Sequence, residues 1–330
     1  MAELLLAVTA AAFAMNMGGS GLAPAFSSAL GARLVSRRLA PVLFGVFVCL
    51  GAMLLGSQVA RTLGKDLVAV EHLNQTAALV VVTSAAASLL LANVLGVPQS
   101  TSWVTVASIS TVGLLHSSLN TETLFHRLIP AWLLLPCAAF LLTRVSLSLF
   151  YPLRPDNFRR IEWLTRRQRA LKGFVLASSC LVAFSIGSNN VANVVAPIAA
   201  AGILDPILGF ALSAPLFGLG AALLTRPSRT VGTAIVPLGP IAATIVNLVT
   251  GLLLLTASVF GIPQSLVQIM TASVIAVRWV KDGPEAVANH APLRKVLLLW
   301  IISPLIAALI TWLLLPVAAG LMDGGTGHGP

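Results

Sequence analysis

Long continuous apolar runs fill most of the chain and leave few folds open to it. A membrane-spanning α-helix needs close to 20 apolar residues. The runs cover roughly 4–32, 40–60, 77–96, 103–118, 128–150, 173–204, 207–225, 231–260, 264–278 and 296–320. Only 9% of the residues are charged, against roughly 25% in soluble domains, so polar groups cannot cover a water-facing surface. The pattern predicts an all-α polytopic membrane protein with about 10–12 membrane segments and excludes a soluble or disordered chain.

The basic residues lie in the short gaps between the apolar runs. The net charge of +10 therefore indicates membrane orientation rather than nucleic-acid binding. The gap 151–172 is the most basic stretch, and cytoplasmic loops carry an excess of Lys and Arg, so we expect this loop on the cytoplasmic side. Counting crossings outward from it places Arg33, Arg37 and Arg38 inside the cell, and both termini outside.

Three sequence elements of the first half recur in the second half at nearly the same spacing. The pairs are GVPQST at 96–101 with GIPQSL at 261–266, Trp132 and Pro136 with Trp300 and Pro304, and the Gly-rich runs that begin at Gly18 and Gly187. Their offsets are 165, 168 and 169 residues. Each half has about five crossings, an odd number, so the second half enters the membrane in the opposite direction. We predict two inverted repeats, 1–150 and 173–320, with the linker 151–172 between them and a flexible tail, 321–330.

Glycine, proline and small polar residues interrupt the apolar pattern inside these repeated elements. The interruptions are 18–28, 96–102, 187–193 and 261–265. Broken backbone within a membrane is tolerated only where it is buried in protein or lines a cavity, and paired interruptions indicate the binding site of a transporter. Close helix packing by small residues and plain proline kinks are the competing interpretations.

The four interruptions contain no acidic or basic residue. Helices that start after Pro98–Gln99 and Pro263–Gln264 present free N–H groups, which bind anions together with the helix dipole. The predicted site is neutral, rich in donors and suited to an oxyanion. Its predicted substrate-binding residues are Ser20, Gly21, Gln99, Ser100, Thr101, Asn189, Asn190, Gln264, Ser265 and Leu266. We expect no metal site, no organic cofactor and no enzymatic activity.

These residues resemble motifs of the inorganic phosphate transporter family. The run GSNNVAN at 187–193 resembles the second G-A-N-D-x-A-type motif of that family, and GGSGLAP at 18–24 resembles a degenerate first copy. The Pro-Gln-Ser elements stand in place of its P-V-S-T-T-H stretches. The resemblance covers nearly the whole chain. It implies cation-coupled symport of a tetrahedral oxyanion across the plasma membrane by an inverted-repeat homodimer.

The chain departs from the family pattern at the acidic positions. Gly21 and Asn190 stand where the family has Asp, and Trp103 stands where it has His. Sulfate only accepts hydrogen bonds, whereas hydrogen phosphate has a P–OH donor that a carboxylate can accept. A site without carboxylates favours sulfate, and the chain most resembles the sulfate permease branch of the family. Phosphate or another tetrahedral oxyanion is the second hypothesis, and a passive anion channel is the third.

Two coupling ions fit the sequence. Protons need a titratable relay, and the candidates near the membrane are Glu3, Glu71, His72, His116 and Asp205. Sodium could be held without formal charge by Ser20, Asn189 and Asn193 together with unwound backbone carbonyls. Protons are favoured because the family's acidic residues at the sodium site are missing.

Overall fold

The computed structural model describes residues 2–96, 98–151, 155–224, 238–288 and 291–323, and helices make up most of these ranges. They are α1 (Ala2–Gly31), α2 (Leu39–Arg61), α3 (Gln75–Val94), α4 (Thr101–Leu115), α5 (Ile129–Ser148), α6 (Pro155–Arg166), α7 (Gln168–Asn190), α8 (Ala192–Ala200), α9 (Pro206–Leu223), α10 (Pro240–Val259), α11 (Leu266–Asp282), α12 (Pro284–Ala288) and α13 (Ala291–Asp323). A π-helical turn at Thr62–Asp66 extends α2, and a second at Thr123–Leu128 leads into α5.

Eight helices within the described ranges are long and apolar enough to cross a membrane. They are α1, α2, α3, α5, α7 together with α8, α9, α10 and α13. The helices α4 and α11 are shorter, with 15 and 17 residues, and each follows an extended segment. Counting these two gives ten membrane segments, so the predicted all-α membrane fold is confirmed. The beginning of the predicted run 231–260 lies outside the described residues, and its described part is α10.

The bundle is apolar on its outside and contains polar side chains inside. Val94 and Leu134 are 73% and 67% exposed, as expected of side chains that face lipid. Some of the buried hydroxyl groups form hydrogen bonds across helices: the hydroxyl of Ser185 on α7 donates to the carbonyl of Gly251 on α10 at 2.8 Å. Such bonds and close packing hold helices together where lipid supplies no hydrophobic driving force.

Contacts between helices occur in equivalent pairs: replacing each helix of a contact by its equivalent in the other half gives another observed contact. The helix α1 packs on α9, and α2 packs on α7. In the same way α4 packs on α13, and α11 packs on α5. This pairing is what two repeats of five segments related by a two-fold axis in the membrane plane would produce.

Two of these crossings depend on glycines at equivalent positions. A Cβ atom on Gly18 would overlap the carbonyl oxygen of Phe217 in α9, and one on Gly187 would overlap that of Val48 in α2. Without side chains, the two backbones come into direct contact. The packing interpretation of Gly18 is therefore confirmed.

The first helix differs from the sequence prediction. The interruption 18–28 predicts a broken helix, but α1 is helical from Ala2 to Gly31, so this prediction is wrong. The glycines serve the close crossing rather than a break, and Pro24 is accommodated inside the helix, as membrane helices allow. In the second half the equivalent helix is interrupted at a single residue, Val191, whose φ and ψ of −62° and −30° remain helical. We call this interruption between α7 and α8 the α7–α8 break.

The basic linker contains a helix, α6, that the sequence analysis does not predict. Within it Arg166 pairs with Glu162 at 2.8 Å. The guanidinium of Arg167, which directly follows α6, lies 4.3 Å from the ring centre of Trp163. The helix packs on the start of α7 and therefore lies at the end of the bundle, between the two halves.

Candidate functional site

Two extended segments with the same backbone geometry connect α3 to α4 and α10 to α11. Gly96 and Gly261 have left-handed φ angles of 67° and 65°, which end the preceding helices at residues without a Cβ. Ser100 and Ser265 then cap α4 and α11. The hydroxyl oxygen of each serine accepts a hydrogen bond from the backbone N–H three residues later, at 3.2 Å in both cases. The equivalent sequence elements thus fold in the same way.

We name residues 98–102 the first tip and residues 263–267 the second tip. The N–H groups in the first turn of a helix have no carbonyl partner within that helix, and the helix dipole is positive there. Each tip therefore presents backbone donors of the kind that bind anions at helix N-termini.

The two tips lie against each other. The hydroxyl of Ser102 in the first tip donates to the carbonyl of Gln264 in the second tip at 3.1 Å. Trp132 of α5 donates its indole N–H to the carbonyl of Pro263 at 2.8 Å. Its ring also stacks on that of Trp103, with the centres 4.7 Å apart. The starts of α4 and α11 are therefore joined in one place, as the inverted-repeat hypothesis predicts.

The end of α7 holds the second tip through Asn189. The Nδ2 group of Asn189 donates to the hydroxyl oxygen of Ser258 at 3.0 Å and to the carbonyl of Ile262 at 2.9 Å. Its Oδ1 accepts the backbone N–H of Gln264 at 2.9 Å. Protein groups thus occupy both ends of this amide, which gives Asn189 a positioning role.

Several buried amides beside the tips have atoms without a hydrogen-bond partner among the described residues. They are Gln99 Oε1, Asn190 Oδ1, Asn193 Oδ1, Gln264 Oε1 and Nε2, and Gln268 Oε1. An unpaired buried polar atom costs about 1–3 kcal/mol, so this concentration indicates contacts to a ligand or to water. Asn193 Nδ2 donates to the hydroxyl oxygen of Ser102 at 3.3 Å, which ties the start of α8 to the first tip. The cluster offers both donors and uncharged oxygen acceptors.

Comparison with known proteins places this arrangement in a family. Residues 17–311 match the model of the phosphate transporter family. The chain belongs to the phosphate transporter family. The sulfate permease CysP of Bacillus subtilis is 32% identical over 298 residues, which is 89% of this chain and 82% of that protein. A solved structure, "The sodium-dependent phosphate transporter", has a TM-score of 0.81 over 96% of this chain and 98% of its own, at 21% identity, and shows the shared fold.

The predicted resemblance is therefore confirmed, and with it the general activity. The family and the permease relative are transporters rather than enzymes. This member of the phosphate transporter family is an integral membrane protein whose substrate is an anion.

The structure places most of the predicted site residues of this family member around the joined tips. Gln99, Ser100, Thr101, Gln264, Ser265 and Leu266 lie on the tips, and Asn189 and Asn190 lie at the break after α7. Ser20 and Gly21 lie on the unbroken α1. The hydroxyl of Ser20 donates to the carbonyl of Met17 in its own helix at 3.0 Å, and a Cβ on Gly21 would lie 3.1 Å from the ring of Phe44. The structure shows α1 using these two positions for its own hydrogen bonding and packing.

Trp132 holds the second tip of this transporter and Arg127 holds Phe260 just before it; neither was predicted as a site residue. The recurrence of Trp132 as Trp300 was the only signal for it in the sequence. Arg127 donates to the carbonyl of Phe260 at 2.6 Å and pairs with Asp66 at 3.6 Å. Nothing in the sequence distinguishes Arg127 from the other basic residues near the ends of apolar runs.

Proposed function

We propose that this transporter imports inorganic sulfate across the plasma membrane by cation-coupled symport, and that the two tips and the α7–α8 break form its substrate site. The observation that carries the proposal is the neutrality of this site. Residues 98–102, 187–193 and 263–267 contain no charged side chain, and Asn190 stands where the family motif has Asp. The 32% identity to a sulfate permease supports the same substrate.

Sulfate matches the donors that the site presents. It is a dianion that only accepts hydrogen bonds, and the two helix starts and the unpaired Nε2 of Gln264 can only donate. A carboxylate about 4 Å from the substrate would repel it by about 4 kcal/mol per pair of unit charges at an effective dielectric constant of about 20. Removal of the acidic residue therefore favours sulfate over an anion that carries its own donor proton.

Proton coupling is supported by a cluster at the far end of α3 and α4 from the first tip. The rings of His72 and His116 stack with their centres 4.7 Å apart, and Glu71 Oε1 lies 3.5 Å from His72 Nε2. Three of the five titratable candidates are therefore together, whereas Asp205 caps α9 by accepting the N–H of Ile207 at 2.8 Å. We propose that protons taken up by this cluster drive sulfate entry.

Sodium is the second candidate for the coupling ion, and one observation favours it. The amide oxygens of Asn190, Asn193 and Gln268 are buried and lack a hydrogen-bond partner among the described residues. Uncharged oxygens beside a broken helix are the ligands that transporters use for sodium.

Radiolabelled sulfate uptake into proteoliposomes, with proton and sodium gradients imposed separately, tests the proposal. We expect accumulation driven by an inward proton gradient and abolished by an uncoupler. Accumulation driven only by a sodium gradient would identify sodium, not the proton, as the coupling ion. Equilibration of sulfate without accumulation would indicate a channel. His116→Gln should lose proton-driven accumulation but keep sulfate counterflow. His126→Gln, which changes an exposed histidine before α5, is the matched control and should behave like the parent.

We further propose that the linker 151–172 is cytoplasmic, that both termini are outside, and that the two halves, 1–150 and 173–320, act within a homodimer. With Cys49, Cys137 and Cys180 replaced by alanine, a cysteine introduced at Arg169 should be labelled only from the cytoplasmic side. Labelling from the outside would invert the topology. Light scattering of the purified protein tests the dimer.

A further inference from the structure

A groove of about 540 Å³ runs along the outer surface of the bundle between α2 and α9. It exists because the helices touch at two residues without side chains: a Cβ on Gly45 would lie 2.9 Å from the Cα of Gly218. Val46 and Met53, which are both half exposed, line the same groove. Its volume lies within the range of roughly 300–1,000 Å³ that is typical of small-molecule sites.

The groove is apolar along its length and basic at one end. Among the described residues that line it, only Arg38, just before α2, is charged, and Arg37 lies beside Arg38. Neither arginine forms an ion pair with another described residue. Because α2 and α9 are equivalent helices of inverted repeats, the residue equivalent to Arg38 lies at the opposite end of the groove. That residue is Ile207, so the opposite end has no arginine at the equivalent position. Positive-inside counting places the basic end at the cytoplasmic leaflet.

We propose that this groove binds an anionic phospholipid, with one acyl chain between α2 and α9 and the phosphate of the headgroup at Arg38. Basic pockets between membrane helices on the cytoplasmic side bind anionic headgroups, because that leaflet carries the anionic lipids. A second copy of the chain fits this groove less well. A two-fold axis along the membrane normal at this face would bring both Arg38 side chains to the same depth, where they repel each other.

Native mass spectrometry of the purified full-length protein tests the proposal with phosphatidylglycerol and phosphatidylcholine of identical acyl chains. The parent should retain phosphatidylglycerol preferentially. Arg38→Gln should reduce that preference about fivefold, equivalent to about 1 kcal/mol for one basic residue at the membrane surface, without changing phosphatidylcholine retention. Val46→Trp should reduce retention of both lipids by filling the groove. Leu134→Trp, at an exposed position on α5, is the matched control and should change neither.

The cysteines of the parent give a second measurement that needs no substitution. Cys49 lines the groove, whereas Cys137 is exposed on α5. Phosphatidylglycerol should slow thiol modification of Cys49 relative to Cys137. Equal retention of the two lipids by the parent, or no protection of Cys49, would overturn the proposal. A dimer that Val46→Trp dissociates without changing lipid retention would assign the groove to a second copy and overturn it as well.

Discussion

The two tips share one backbone geometry but differ in how firmly the protein holds them. The second tip and Ile262 just before it form three hydrogen bonds with neighbouring helices, two with the Asn189 amide and one with the indole N–H of Trp132. Apart from its contact with the second tip, the first tip is held by Gln99, whose Nε2 donates to the hydroxyl of Ser88 at 2.6 Å, and by the Asn193–Ser102 bond at 3.3 Å.

The difference follows from α7 and its equivalent in the first half, α1. In the second half α7 places Asn189 against the second tip, whereas the equivalent residue of α1, Ser20, donates to Met17 within its own helix. The second tip is therefore preorganised. We expect the substrate-linked movement of transport to fall mainly on the first tip, and four groups of substitutions test different parts of this contrast.

The largest effect is expected at Asn190. Asn190→Asp restores the family's acidic residue and should weaken sulfate binding roughly a thousandfold, because about 4 kcal/mol of repulsion corresponds to nearly three decades of affinity. Phosphate should lose less, since its P–OH can donate to the new carboxylate. Competition uptake at fixed pH measures both anions.

Asn190→Ala is the control that separates charge from the loss of an amide. It should weaken both anions modestly and leave their ratio unchanged. If Asn190→Asp transports sulfate like the parent, Asn190 does not face the substrate.

The hydrogen bonds by which Asn189 holds the second tip are tested by removing its side-chain amide. Asn189→Ala leaves the N–H of Gln264 and the carbonyl of Ile262 without their partner, and we expect about 2 kcal/mol of lost sulfate affinity, or about thirtyfold. Ser20→Ala is the matched control, because Ser20 is the equivalent position in the first half and its hydroxyl donates to Met17 within α1. It should change affinity less than twofold. A larger effect of Ser20→Ala than of Asn189→Ala would reverse the contrast between the halves.

Gln264 and Gln99 are equivalent glutamines with different hydrogen bonding. Both ends of the Gln264 amide are unpaired among the described residues, whereas Gln99 donates to Ser88. Gln264→Leu should weaken sulfate and phosphate about tenfold by removing a donor worth about 1.4 kcal/mol. Gln99→Leu should cost less than threefold. Equilibrium binding by the purified protein compares them, and equal losses would mean that both side chains contact the substrate.

The smallest and most symmetric effects are expected at the capping serines. Ser100→Ala and Ser265→Ala each remove one helix cap, worth about 1 kcal/mol, and should weaken sulfate and phosphate alike by about fivefold. Thermal unfolding of the variants should show similar losses, because the two caps have the same bond length. Clearly unequal losses would mean that the two tips are not equivalent in their backbone.

The membrane fold and the location of the site could be predicted from the sequence, because apolar length and paired interruptions are local patterns. The role of a glycine could not. The sequence around Gly18 or Gly187 is compatible both with a broken helix and with the close approach of another helix. Only the carbonyls of Phe217 and Val48, which face these glycines in the structure, show that the glycines serve packing. The pattern alone therefore predicted a break in α1 that does not exist.

Adjacent asparagines show a second limit of sequence reasoning. Asn189 and Asn190 are equal candidates in the sequence. In the structure Asn189 donates to Ser258, whereas the Oδ1 of Asn190 has no hydrogen-bond partner in the part of the chain that is described. Arg127 shows a third, since its contact with Phe260 joins distant parts of the chain. Each of these roles depends on a tertiary neighbour that no local pattern specifies.

Competition for labelled sulfate uptake by the parent protein tests most directly whether a neutral, donor-rich site selects sulfate. Proteoliposomes containing the full-length transporter would take up labelled sulfate in the presence of thiosulfate, selenate, chromate or phosphate. We predict that the first three compete far better than phosphate. Only phosphate carries a proton, and the site offers that proton amide oxygens rather than a carboxylate, the stronger acceptor. Competition by phosphate as strong as that by selenate would contradict the assignment of this transporter to sulfate.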